Sequence, residues 1–374
     1  MKIKTFGVEQ WMNEYETRAK YNLGETCVSP MSINDLLKLV NSNEADKIMN
    51  QILNLRLTYG DIVGNDDLRK NISKLYKEID FENIVTTHGA IGANSLVLTS
   101  IVEPEDEVVV VKPTYQQLQS IPETIGATVR TLDLKLENNY LPDIKQLKSL
   151  VNNKTKLIIL NNPDNPSGAL IPNELLKEIV GIAKSVDAYV LCDEVYRHLN
   201  QVDGYSDSIV DLYDKGISTS SMSKVFSMAG LRLGWIATRD AELMKVILNQ
   251  RDYNTISNGV INELIAKLTL ENSKLVIARN RKIVQQNLQI LDDWVNSQEH
   301  ISWVKPQAGT TALLHYDLDV PSEEFCDKLM NEKEVLLVPG KCFDIEHSLR
   351  IGYAFESEEL QRGLDQVSEF IKSL

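Results

Sequence analysis

Leu157-Ile158-Ile159-Leu160-Asn161-Asn162-Pro163-Asp164-Asn165-Pro166-Ser167-Gly168 opens the stretch that decides the fold, which continues to Tyr189-Val190-Leu191-Cys192-Asp193-Glu194-Val195-Tyr196. Its two apolar runs are short and apolar throughout. A strand covered on both faces of a mainly parallel sheet reads this way. Between them, Asn173 to Lys184 places apolar residues at Leu175, Leu176, Ile179, Val180 and Ala183, which is helical spacing. Strand, helix, strand predicts a three-layer α/β domain. The pattern extends outward to further strands at Ile84–Thr87, Val108–Val111, Ile217–Ser220 and Trp235–Thr238. Beyond it, Ile277, Ile283, Val284, Leu288, Leu291 and Val295 predict one long helix. Trp303–Val304, Ala312–Leu314 and Val335–Val338 then predict strands of a smaller α+β unit, with turns at Gln307-Ala308-Gly309 and Pro339-Gly340.

A chain of 374 residues fits one large domain plus a smaller one. Thirty-nine basic against 53 acidic residues leave a net charge of −14. That excess argues against a nucleic-acid partner and against docking on anionic lipid. Hydrophobic residues at 43% and charged residues at 25% are the composition of a folded globule. The apolar runs are far shorter than the ~20 residues that span a bilayer, so no membrane is expected. Cys27, Cys192, Cys326 and Cys342 are scattered without CxxC spacing. This predicts no metal site, no disulfide framework and a reducing compartment. The N-terminus lacks a stretch of signal-peptide length, and a cytoplasmic location is expected.

Ligands of such folds sit beyond the carboxyl ends of the strands, so the residues there carry the chemistry. Asn165 stands in a turn stiffened by two prolines, either as a presented polar group or as ordinary loop. Asp193 ends a strand with Tyr196 close behind; it reads as a ligand-facing carboxylate or as a helix cap. Lys224 follows hydroxyls at Ser221 and Ser223; it reads as a reactive amine or as a solvated charge. His88-Gly89-Ala90-Ile91 opens a helical pattern whose small residues leave backbone N–H groups free for a phosphate. His88 itself reads as a turn or buried histidine.

In this order the four sites resemble one family: the fold-type I pyridoxal-phosphate enzymes, specifically the class I/II aminotransferases. The lysine motif runs Ser221-Met222-Ser223-Lys224, two free positions, Ser227-Met228, one free position, Gly230, one free position, Arg232-Leu233-Gly234. Asn-Pro-x-Asn-Pro-Ser-Gly and Asp-Glu-x-Tyr upstream also match, and the likeness extends from Leu23-Gly24-Glu25 to Arg350. The resemblance implies an aspartate-aminotransferase-like fold with a large cofactor domain at residues 41–275. The small domain would combine residues 1–40 with 276–374.

It also implies pyridoxal 5'-phosphate as cofactor, and amino transfer between an amino acid and a 2-keto acid. Lys224 would hold the cofactor as a Schiff base and then act as acid and base. Asp193 would keep the ring nitrogen protonated, while Tyr196 and Asn165 would bond the ring oxygen. Ser221, Ser223, Arg232 and the Ala90 and Ile91 N–H groups would hold the phosphate. Tyr115 would stack on the ring, with core packing as the plain alternative for an aromatic after proline. Arg350 would grip the substrate carboxylate near Gly24. Tyr59 would reach the neighbouring subunit's phosphate, which implies a homodimer.

Three features depart from the pattern. The loop reads Gly-Glu-Thr-Cys where many relatives have Gly-Glu-Pro, the 88–91 turn lacks a hydroxyl, and no second arginine is evident for a side-chain carboxylate. Glu25 beside the loop points to a cationic substrate instead. Two alternatives accompany the main reading. Phe6–Trp11 and Tyr21–Cys27 are similar to the subgroup containing capreomycidine synthase, which implies a β-eliminating lyase or cyclase on the same scaffold. An effector-sensing aminotransferase-like domain would need a DNA-binding domain in front. A pattern beginning within the first ~25 residues is expected to leave no room for one.

Overall fold

The computed structural model describes residues 2–40, 45–201 and 206–374. Its centre is a seven-stranded sheet. From edge to edge it runs Ile84–Thr87, Gly234–Thr238, Gly216–Ser221, Tyr189–Asp193, Thr155–Asn161, Glu107–Lys112 and Thr128–Asp133. Pairing is parallel except around Gly234–Thr238, which runs against both neighbours. Alternate residues face opposite layers. Val108, Val110, Leu157 and Ile159 join one core cluster, while Val109, Val111, Ile158 and Leu160 join the other. Two buried faces explain why these runs are apolar at every position.

In this sheet the predicted strands lie where the sequence places them: Ile84–Thr87 matches end to end, and the others are extended by one or two residues. The predicted helix is Asn173–Ser185, and the long one is Ser273–Asn296. Thr128–Asp133 was not predicted.

A four-stranded antiparallel sheet runs Val338–Pro339, Ser348–Gly352, Thr311–Tyr316 and Ile301–Trp303. Three details correct the sequence reading. Val304 lies outside its strand. The Pro339-Gly340 turn leads into a short 3-10 helix, Gly340–Phe343. The single strand expected at Val335–Val338 is two: Val335–Leu336 pairs in parallel with Tyr21–Asn22, while Val338–Pro339 joins the four-stranded sheet. The chain thus changes partner at Leu337, and this pairing ties the N-terminal arm to the C-terminal part.

The expected boundary at 40/41 abuts residues 41–44, outside the described residues. That at 275/276 falls in the first turn of the helix Ser273–Asn296. No described helix is long and apolar enough to cross a membrane.

Candidate active site

Parallel register aligns the carboxyl ends of three strands. Asn161 pairs with Asp193, and Asp193 with Thr219. Asp193 is 3% exposed. Its Oδ2 accepts from Asn94 Nδ2 at 2.7 Å, and its Oδ1 from the Val195 N–H at 3.1 Å. Asn94 stands on the helix Gly89–Ile101, and its own oxygen accepts from the Thr219 hydroxyl at 2.6 Å, which fixes the amide's orientation. Burial pushes the Asp193 carboxyl up to about 6, against the pull of the Asn94 and Val195 bonds. A nearby cation would restore its charge. Asp193 caps no helix; the capping reading falls away.

Asn161 holds the following turn from within. Its Nδ2 donates to the Asp193 carbonyl at 3.0 Å, and its Oδ1 accepts from the Asn165 N–H at 2.8 Å. The Asn165 amide is thereby presented toward Arg350, whose Nη1 lies 3.4 Å from its oxygen. Arg350 is 3% exposed. Its Nη2 donates to the Gly24 carbonyl at 2.9 Å, its guanidinium lies over Phe343, and Nε has no partner. A buried guanidinium without a carboxylate is costly, and it is ready to receive one.

Lys224 sits in a turn folded back on itself by bonds from Met222 N to the Leu233 carbonyl and from Met228 N to the Met222 carbonyl. Its half-buried Nζ donates to Thr26 Oγ1 and lies 3.3 Å from Cys27 Sγ. At the amino end of Gly89–Ile101, Gly89 has φ +69, and a Cβ there would meet Arg232 Nη2 at 3.0 Å. Glycine thus lets the guanidinium close on the helix terminus, where free N–H groups also point. His88 is exposed at the helix start, which removes the buried reading. Tyr115 donates to Glu9 Oε1 at 3.0 Å, and its ring tilts against Phe6 at 4.9 Å.

A cavity of about 440 Å³ gathers nearly all of these groups. Gly24, Ala90, Ile91, Tyr115, Asn165, Asp193, Tyr196, Ser221, Ser223, Lys224, Arg232 and Arg350 all line it. Tyr59 does not; it stands 75% exposed on the surface. The sequence reading missed Asn94, Glu9 and Glu16, which line or support the same cavity. Asn94 was within reach, since it lies about one turn into the helix that starts at the predicted phosphate site. Glu9 and Glu16 carry no motif signal. Among the described residues no cluster of three ligating side chains could hold a metal.

These residues fit pyridoxal phosphate: a helix terminus with a guanidinium closed on it, two serines, a buried carboxylate and an amine line one cavity. Fold and site together define a fold-type I pyridoxal-phosphate enzyme. Residues 28–367 match the class I and II aminotransferases, and the chain belongs to that family. Its cofactor is pyridoxal 5'-phosphate and its reaction is transamination. Over 100% of this chain and 99% of the other, it is similar to a pyridoxal-phosphate-dependent aminotransferase from Streptococcus suis 89-1591, at 39% identity and a TM-score of 0.97. It is 27% identical over 368 residues to capreomycidine synthase from Streptomyces vinaceus, covering 97% of this chain and 92% of that one. Aspartate aminotransferase from Thermotoga maritima is 28% identical over 328 residues, 84% of each chain.

Proposed function

We propose that this aminotransferase works through Lys224, with Asp193 and Arg350 fixing the cofactor and the amino acid on either side of it. The observation that carries the reading is the convergence of Lys224, Asp193 and Arg350 on one cavity. Bound pyridoxal phosphate supplies a ring that takes up the electron pair released when the substrate Cα–H bond breaks. Lys224 Nζ would anchor the cofactor at its aldehyde carbon and would carry the proton from the substrate Cα. Asp193 would keep a proton on the ring nitrogen. Arg350 offers Nε and Nη to the substrate carboxylate. Asn165 and Tyr196 would orient the ring, Tyr115 would cover its face, and Ser221, Ser223, Arg232 and the 90–91 N–H groups would hold the phosphate.

Glu9, Glu16 and Glu25 line the same cavity. Burial, then Glu25 and Glu9, push the Glu16 carboxyl up, so a positive charge among them is favoured. We therefore propose an amino donor with a cationic side chain. Glu25 Oε1 already accepts two loop N–H groups, which leaves most of this task to Glu9 and Glu16. The large cofactor domain, the small domain built from both chain ends, the homodimer and the cytoplasmic location belong to the same proposal. The scattered free cysteines support the last of these.

The test is an absorbance spectrum of the protein with pyridoxal phosphate and one amino acid at a time, without keto acid. Conversion of the bound cofactor to its amine form is expected, with basic amino acids foremost. The similarity to capreomycidine synthase along most of the chain supports a second reading, a lyase or cyclase. Ammonia or a cyclised product, with the cofactor still in its aldehyde-derived form, would select it. No spectral change on adding pyridoxal phosphate would overturn both.

A further inference from the structure

We infer that Thr26 and Cys27 form a holding site for the Lys224 ammonium, positioning residues that set when this amine is free to react. The inference rests on the assignment of Lys224 above. An ammonium has three donors and no acceptor. Lys224 spends two of them on the Thr26 hydroxyl oxygen and the Cys27 sulfur, and among the described residues it forms no ion pair.

The loop is built to present these two side chains. Glu25 Oε1 accepts from the Thr26 and Cys27 N–H groups, each at 2.6 Å. The Thr26 carbonyl accepts from the Thr310 hydroxyl at 2.6 Å. The Gly24 carbonyl takes Arg350. A Cβ at Gly352 would meet the Glu25 carbonyl oxygen at 1.7 Å, so only glycine lets the loop lie this close. A proline at position 26 would offer no hydroxyl to the lysine and no N–H to Glu25.

The charged and titratable groups around Lys224 agree. Glu25 and Cys27 face it from the loop, Asp193 from the end of the strand Tyr189–Asp193, Tyr196 from the turn after it, and Glu16 from the end of the N-terminal helix Gly7–Tyr15. Burial alone would favour the neutral amine, yet Cys27, Tyr196 and Glu25 outweigh it and hold Lys224 above the usual lysine range. Covalent capture of an aldehyde needs the neutral amine. A hydrogen bond accepted from the ammonium favours the charged form, so its removal must lower the pH at which the amine becomes free.

The experiment adds pyridoxal phosphate to cofactor-free, full-length protein across a pH series and reads the rate of covalent capture by absorbance. In Thr26→Val the midpoint of the rate against pH is expected to fall by about one unit, with capture at neutral pH faster by about tenfold. Thr26→Ser should return the wild-type midpoint, which distinguishes a held ammonium from a merely packed loop. A Thr26→Val midpoint that stays in place or rises overturns the proposal. Should Thr26→Val fail to fold, Cys27→Ala replaces it: a smaller downward shift is expected, and an unmoved midpoint overturns the proposal. Lys224→Ala is the separate control. Covalent capture by that variant would sink the Lys224 assignment itself.

Discussion

Asp193, at the end of a sheet strand, and Asp164, in the turn after another, are both buried carboxylates, with opposite consequences. Asp193 faces the cavity, where a protonated ring nitrogen would hold it ionised. Asn at 193 can still accept from Asn94 but cannot balance that proton. Asp193→Asn should therefore lower turnover by about 10²-fold or more, with Tm little changed. Asp164 lies off the cavity. Its Oδ2 accepts from the Ser167 hydroxyl at 2.5 Å and from the Ser167 N–H at 3.1 Å, while Oδ1 has no partner. Burial pushes its carboxyl up to about 7. The folded protein thus binds more protons than the unfolded chain between about pH 4 and about pH 7, and Asp164 makes stability fall as pH rises through that window. In Asp164→Asn this contribution to the decline should vanish, leaving the variant more stable than wild type, by a few degrees in Tm, above the window. A Tm–pH curve parallel to wild type would contradict this. Asp193, Tyr196, Asn165 and Lys224 were legible because they stand at or just beyond strand ends, which aim side chains at the ligand, whereas Arg350, inside the strand Ser348–Gly352, was legible only through the family resemblance. Glu9 and Glu16 meet the site only through docking of the N-terminal arm, which spacing along the chain does not encode.

Elements buried on both faces were legible for the same reason that they are stable. Val108–Val111 and Leu157–Leu160 have no exposed face to interrupt the apolar pattern. Thr128–Asp133 is an edge strand with exposed and half-buried positions, including Arg130 paired to Glu107 at 2.9 Å, so its apolar signal is diluted. Val335–Val338 read as one strand because apolar character says nothing of partner exchange. One element contact is set by a missing side chain. A Cβ at Gly234 would meet the Gly89 carbonyl carbon at 2.4 Å and the Ala90 nitrogen at 2.7 Å, both backbone. Gly234→Ala must push the strand Gly234–Thr238 off the helix terminus that would bind phosphate. Overpacking of this kind costs about 1–3 kcal/mol. The expected outcome is a protein that folds with lower Tm and loses pyridoxal phosphate on dialysis that wild type survives. Full retention of the cofactor would detach this contact from the phosphate site.

At the scale of the whole molecule, the surface carries an apolar region that a single chain leaves uncovered. Leu53, Leu57, Tyr59 and Ile62 are exposed on one segment, and Tyr253 and Ile256 on another. Arg251 joins the two segments by donating to the carbonyls of Ile62 and Ile256. These side chains, Tyr59 among them, would lie in the interface of the proposed homodimer. If Tyr59 serves the partner's phosphate, each site of a dimer takes Lys224 from one chain and Tyr59 from the other. Tyr59→Ala alone should then bind pyridoxal phosphate about tenfold or more weakly. Lys224→Ala alone should be inactive. A mixed dimer of the two variants contains one site with both residues intact and one lacking both. Mixing the two inactive or weakened proteins, with time for subunit exchange, should therefore raise turnover at limiting cofactor well above the mean of the separate samples. A mixture that gives only that mean places Tyr59 and Lys224 in the same site or puts Tyr59 outside it, and the crossed arrangement would be wrong.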